Sequence, residues 1–343
     1  MWSTKMRLNA VLILTVLVLP LALIISDARA SERDVRITRA CAFLESLYDP
    51  SVHLVKETPT SHVYWIASDN LLAQQVLQEC GSSNAQSIQA ILINATCCQQ
   101  GNDLMHESLL GRSIPLPIHN ATTYTVTGYW KSLTNSQETG NYTVKWEYHN
   151  STGTLSPYVY GDVAAYTLHE YKRRNNETGV QDMIQVLNTM WTGAGIADEP
   201  YKEPYGESGI YQTYKTALYA YSLTQLSIPV PATVTAALLR MQGPDGGFHT
   251  GYGTNMTYAG TDENAETTSI AIIALSPTLV PPSSPPALIA VTASIALLLL
   301  LIVLRIVLRR QSKQSSAPSS RKIARQGLER RLLQSKLPDG RQY

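Results

Sequence analysis

Residues Ala287 to Leu308 form an apolar run of twenty-two positions whose one charge, Arg305, lies near its end. As a single helix rising 1.5 Å per residue the run is about 33 Å long, enough to cross the hydrocarbon core of a bilayer. Arg305 lies close enough to the boundary for its side chain to reach the headgroups. A buried helix of a water-soluble domain is the competing reading, and the run is too long and too closely followed by basic residues to suit it. From Arg309 to Tyr343 there are ten Lys and Arg against Glu329 and Asp339, a balance of +8. Residues 31–286 hold thirteen Lys and Arg against twenty-three Asp and Glu, a balance of −10. Basic residues stay on the cytoplasmic side, so this asymmetry predicts a single-pass cell-membrane protein with an extracellular N-terminal domain and a cytoplasmic tail. The lipid bilayer is then its first partner.

The N-terminus agrees. Lys5 and Arg7 precede an apolar stretch from Ala10 to Ile25, and Ala28-Arg29-Ala30 gives the small-x-small pattern of a cleavage site, so residues 1–30 read as a signal peptide. Between the two apolar runs, residues 31–276 are predicted to form the domain, with 44% hydrophobic and 15% charged residues in the whole chain giving a globular balance. Pro281, Pro282, Pro285 and Pro286 make 277–286 a semi-rigid stalk. Residues 309–343 are rich in Ser, Gln and Arg, bury little, and read as a stop-transfer flank. No nucleic-acid partner is expected.

Four cysteines, Cys41, Cys80, Cys97 and Cys98, lie in the first third of the predicted domain. Disulfide geometry needs Cα atoms about 4.4–6.8 Å apart, which disfavours bridging of adjacent residues. Two pairings remain, each tying Cys41 and Cys80 to the adjacent pair. No His stands at ligand spacing beside them, so no metal is expected, and the sequence implies no cofactor. Asn-x-Ser/Thr acceptor sites at Asn94, Asn120, Asn141, Asn150, Asn176 and Asn255 exceed chance among fourteen asparagines and fit an exported glycoprotein.

The hydrophobic pattern predicts helices over Ser31–Leu47, from Ser68 or Asp69 to Glu79, and over Asn84–Cys98. Further helices are predicted over Asp162–Lys172, Val180–Trp191, Tyr211–Leu226, Pro231–Met241 and Glu266–Leu275. Tyr211–Leu226 and Glu266–Leu275 are apolar or small all round and should be buried. From Asn120 to Asn150 the pattern changes to alternation, Tyr124, Val126, Gly128, Trp130 and then Tyr142, Val144, Trp146, Tyr148, which predicts an inserted β-hairpin standing out as a glycosylated protrusion. Helix-start aspartates recur at Asp69, Asp162 and Asp262, where capping of the helix accounts for them.

Gln242-Gly243-Pro244-Asp245-Gly246-Gly247-Phe248 resembles the Q-x-x-D-G-G-F/W motif of α/α-toroid proteins such as terpene cyclases and prenyltransferases. The resemblance covers seven residues and one copy, and the Asp-rich motifs of the cyclases are absent, so it implies a fold and no terpene chemistry. The fold it implies is mainly α, an α/α-toroid of helical hairpins carrying the inserted β-hairpin, in addition to the one transmembrane helix. The wider arrangement is similar to that of archaeal membrane-anchored surface proteins.

In a toroid, loops and inner-helix starts converge on the ligand. That places Tyr64, Trp65, Asp69, Asn70, Trp191, Asp198, Tyr205, Tyr211, Tyr214 and Lys215 as candidate binding residues. Aromatic rings beside carboxylates suit polysaccharides, because sugar rings stack on aromatic faces while acids accept hydroxyl hydrogen bonds. Nineteen tyrosines against two phenylalanines favour a polar cavity. Candidate catalytic residues are Asp245 with Asp262 or Glu266 as an acid and base on a glycosidic bond, or His249 and Tyr252 in an elimination. Asp262-x-Asn264-x-Glu266 lacks the full loop of a calcium site. Serine-hydrolase, phosphate-loop and zinc-peptidase motifs are absent. The expected function is a membrane-anchored cell-surface binding or interaction module, with glycans or surface-layer components as partners. A glycan-processing enzyme of glycosidase or lyase type is the alternative.

Overall fold

The computed structural model describes residues 32–61, 64–94, 104–131, 138–202, 209–258 and 262–276. Helix α1 (32–46) leads into the paired strands β1 (Tyr48–Asp49) and β2 (Leu54–Val55). Strand β3 (Trp65–Ile66) then runs directly into α2 (Ala67–Glu79), followed by α3 (Asn84–Asn94) and the short α4 (Leu104–Leu109). After the long strands β4 (Thr122–Lys131) and β5 (Glu138–Tyr148) come α5 (Gly161–Arg173), α6 (Glu177–Met190) and the single turn α7 (Glu199–Lys202). The remainder is β6 (Tyr211–Gln212), α8 (Thr213–Gln225), α9 (Ala232–Arg240), β7 (Phe248–His249), β8 (Gly251–Tyr252), β9 (Glu263–Asn264) and α10 (Ala265–Leu275).

Helices α2, α10, α8 and α5 touch one another in that order. They are clothed by α3 on α2, α9 on α8 and α6 on α5. Both α8 and α10 are buried round most of their circumference, as their lack of a polar face requires. At about 25 cal/mol per Å² of apolar surface removed from water, such interior helices carry much of the driving force for folding.

Two expectations are corrected. The mainly α, toroidal class with a transmembrane helix gives way to a chain about half helical among its described residues, with four small sheets ordered β1-β2, β3-β5-β4, β6-β8 and β7-β9. Seven of the nine strands in these sheets are two residues long, too short to display a period, which is why periodicity missed them. Nor is any helix among the described residues long and apolar enough to cross a membrane, so the single-pass topology with its outside domain and inside tail is withdrawn. The physical reason is length: α1, at fifteen residues, spans about 22 Å against the roughly 30 Å of a hydrocarbon core. Helices as apolar as α8 and α10 are satisfied by protein neighbours. The proposed signal segment, stalk, membrane run and tail lie outside the described residues.

The hairpin is present, with Thr122 opposite Tyr148 at its base and Lys131 opposite Glu138 near its tip. It is more than a protrusion, because β3 adds to β5 in parallel, Trp65 beside Val144. Val144 and Tyr142 are buried, and the Tyr142 ring meets Trp65 edge-on at 6.3 Å. Cys41, on α1, bridges Cys80 at the end of α2 with a Cα separation of 6.2 Å. That corrects both expected pairings, which assumed that all four cysteines are used among themselves. Cys97 and Cys98 lie outside the described residues.

Candidate functional site

The chain enters each of the four interior helices through extended residues, Ile66, Tyr160, Gln212 and Asn264. The expected aspartate caps are not the caps: Asp69 is the third residue of α2, Asp162 the second of α5, and Asp262 precedes β9. At α10 the cap is Asn264, whose Oδ1 accepts from the Thr267 N–H at 2.8 Å. The N–H of Gly161 is capped from a distant segment by Asp198 Oδ2 at 2.9 Å.

This entry gives a shared pattern. The second residue of each interior helix, Ser68, Asp162, Tyr214 and Glu266, stays partly accessible while both neighbours in sequence are buried. Two of these meet, and the charge of a third acts on them. The Tyr214 hydroxyl donates to Asp162 Oδ2 at 2.8 Å. Its acidity is suppressed well beyond that of an ordinary phenol, first by burial and then by the charges of Asp162 and Glu266 and the neighbouring Tyr166. Tyr214 is therefore a neutral hydrogen-bond donor to Asp162, within the field of Glu266. The start of α2 is tied to the same region: Glu57 accepts from the Ala265 N–H at 2.8 Å, and its charge raises the pKa of Tyr64. Lys145, from β5, lies over the Tyr64 ring at 3.3 Å, a cation–π contact.

Of the residues named from sequence, Tyr214 is brought to Asp162, and Glu266 acts on it through its charge. Others are structural in their contacts. Asn70 is fully buried and holds the Val55 backbone through both its amide atoms. Trp65 belongs to the core, and Asp69 is buried at the start of α2. Tyr211 stacks on Tyr201 at 4.5 Å, and Trp191 packs against Tyr219 at 5.6 Å. Lys215 is buried in an ion pair with Asp198 at 2.6 Å. Tyr252 has no exposed surface and donates to the Ala194 carbonyl at 2.9 Å, with burial raising its pKa. Asp262 is exposed. Tyr205 lies outside the described residues.

The glycine-rich motif works as a clamp between α1 and α10. Gln242 Nε2 donates to the carbonyls of Arg36 and Gly246, at 2.7 and 2.9 Å, and Arg39 donates to those of Gly243 and Pro244. The Phe248 N–H is received by Thr268 Oγ1 at 2.9 Å. Gly246 has φ +107°, and a Cβ there would fall 2.3 Å from the Arg39 carbonyl oxygen, so only glycine fits. Asp245 meets Glu263, a residue that sequence reasoning passed over. The Glu263 carboxyl lies 3.3 Å from His249 Nε2, and a Cβ on Gly243 would lie 1.5 Å from it.

Burial, then the hydrogen bond and charge of Asp245, push the pKa of Glu263 up to about 8, against the opposing pull of the Gly247 N–H and Arg39. An unfolded chain releases this proton near 4.5. The native state therefore holds more protons between pH 4.5 and 8, and this contribution to stability is lost as pH rises through that window. Glu263→Gln, which cannot ionise, is expected to flatten the decline of the urea midpoint between pH 5 and pH 8; a decline as steep as in the parent would contradict this placement of the proton.

No protein-family model matches the sequence, and no curated protein is detectably similar to it.

Proposed function

We propose that this protein is a binding module whose ligand sits where Asp162, Tyr214 and Glu266 converge, and that the ligand is polyhydroxylated, as a saccharide is. The observation that carries the reading is the Tyr214 hydroxyl donating to Asp162 while the charge of Glu266 acts on the same phenol. Two carboxylates accept hydroxyl hydrogen bonds, and a phenol held neutral both donates and accepts. Because Tyr214 keeps its proton, it offers recognition rather than a base for elimination, which favours binding over the enzymatic alternative.

Titration calorimetry on saccharides found by array screening tests the proposal. Glu266→Gln and Tyr214→Phe, each checked for an unchanged melting profile, are expected to weaken binding about tenfold or more, as loss of a hydrogen bond to a charged group does. An array with no bound saccharide, or affinities indifferent to both substitutions, overturns it.

A further inference from the structure

The outer surface of α6 carries two open grooves, about 660 and 630 Å³ in volume, and Asp182 and Gln185 line both. The grooves meet at these two exposed residues and are taken together as a trough. At one end stands Tyr158, a 60% exposed ring whose hydroxyl donates to Asp182 Oδ2 at 2.6 Å. That bond holds the aromatic face in place, so little freedom is lost when something stacks on it. In the other groove the Tyr171 ring packs so closely on Gly179 that a Cβ there would come within 2.4 Å of it. From Asn176 to Thr189 the trough follows the helix for about 20 Å.

We infer that this trough is a cleft for a neutral oligosaccharide, separate from the mouth at the interior-helix starts where Asp162 and Tyr214 meet. Tyrosine faces suit the apolar faces of sugar rings. Between them Gln185, with its amide oxygen and nitrogen, both accepts from and donates to hydroxyls. The charges lining the trough are one carboxylate, already engaged by Tyr158, and Lys202. Such a lining gives no basic track for a nucleic acid or acidic polymer. The same chemistry has a second source. Asn176-Glu177-Thr178 is an N-glycan acceptor site at the end of the trough, and the Asn176 side chain caps α6 through Oδ1 alone, accepting from Gly179 at 3.1 Å. A sugar attached to its nitrogen would reach the cleft.

The test uses the full chain with cellohexaose, chitohexaose and mannohexaose as neutral probes, in the parent, Tyr158→Ala, Gln185→Ala, Thr178→Ala and Tyr214→Phe. At least one hexamer is expected to bind the parent or Thr178→Ala, and to bind about tenfold more weakly when Tyr158 or Gln185 is removed. Binding gained only with Thr178→Ala supports the cleft and identifies the attached glycan as its resident. No hexamer bound by either protein, or affinities unaffected by Tyr158→Ala and Gln185→Ala, overturns the inference. Weakening confined to Tyr214→Phe assigns the sugar to the mouth instead and also overturns it.

Discussion

Lys215→Met is expected to lower the free energy of unfolding by about 3–5 kcal/mol, because it strands a carboxylate in the interior. Lys215 and Asp198 are each 3% exposed, with Nζ 2.6 Å from Oδ2. The same oxygen accepts from the Gly161 N–H, so one carboxylate ties the segment before α7 to the starts of α5 and α8. Removing the ammonium leaves the cost of burying Asp198 with only a single amide to offset it. Removing both charges is a different matter. Asp198→Asn with Lys215→Met retains an oxygen for Gly161 and should recover most of the loss. Urea unfolding of the two single variants and the double variant measures the cycle; a single-variant loss below about 1 kcal/mol would mean that the pair is not desolvated as described.

Acidification should produce the second large effect. His169 is buried between Ser108 Oγ, 2.8 Å from Nδ1, and Ser222 Oγ, 3.0 Å from Nε2, with Tyr221 edge-on at 5.2 Å. Burial, and secondarily the charge of Lys172, lower its pKa from 6.5 to about 3. Above pH 6.5 the imidazole is neutral in both folded and unfolded chains. Below it the unfolded chain gains a proton that the native state refuses until about pH 3, so stability falls with pH across that interval. At 1.36 kcal/mol per unit, the loss by pH 4 is about 3 kcal/mol. His169→Gln, less stable at pH 7 for want of one of the two serine contacts, should show a shallower decline from pH 7 to pH 4. Parallel declines would show that other groups dominate acid unfolding.

What the sequence displayed was whatever repeats along the chain. The alternation from Tyr124 to Tyr148 announced the hairpin, and the absence of a polar face on Tyr211–Leu226 and Glu266–Leu275 announced interior helices. The two-residue strands had nothing to repeat. They exist because each interior helix is entered through extended residues that pair with distant ones, Phe248 with Asn264 and Tyr211 with Tyr252. The site is half legible in the sequence: Tyr214 and Glu266 are candidates by their chemistry, whereas capping alone accounts for Asp162. A polar residue one place into an otherwise buried helix was the available signal, present at all four starts. Glu263 offered none, since its partners Asp245 and His249 reach it only through the pairing of β7 with β9. A long apolar run and a change in charge suggest a membrane, yet the described helices that lack a polar face, α8 and α10, are covered by protein.

The clamp on α1 also sets an order of events during synthesis. Arg36 and Arg39 grip carbonyls at Leu239, Gly243 and Pro244, some two hundred positions later. A ribosome adding about 5–20 residues per second needs roughly 10–40 s to cover that stretch. Throughout that interval Phe43 and Leu44, fully enclosed at the end, lack the lid that the Gly246 turn provides. The first described helix thus waits about two hundred residues for part of its cover.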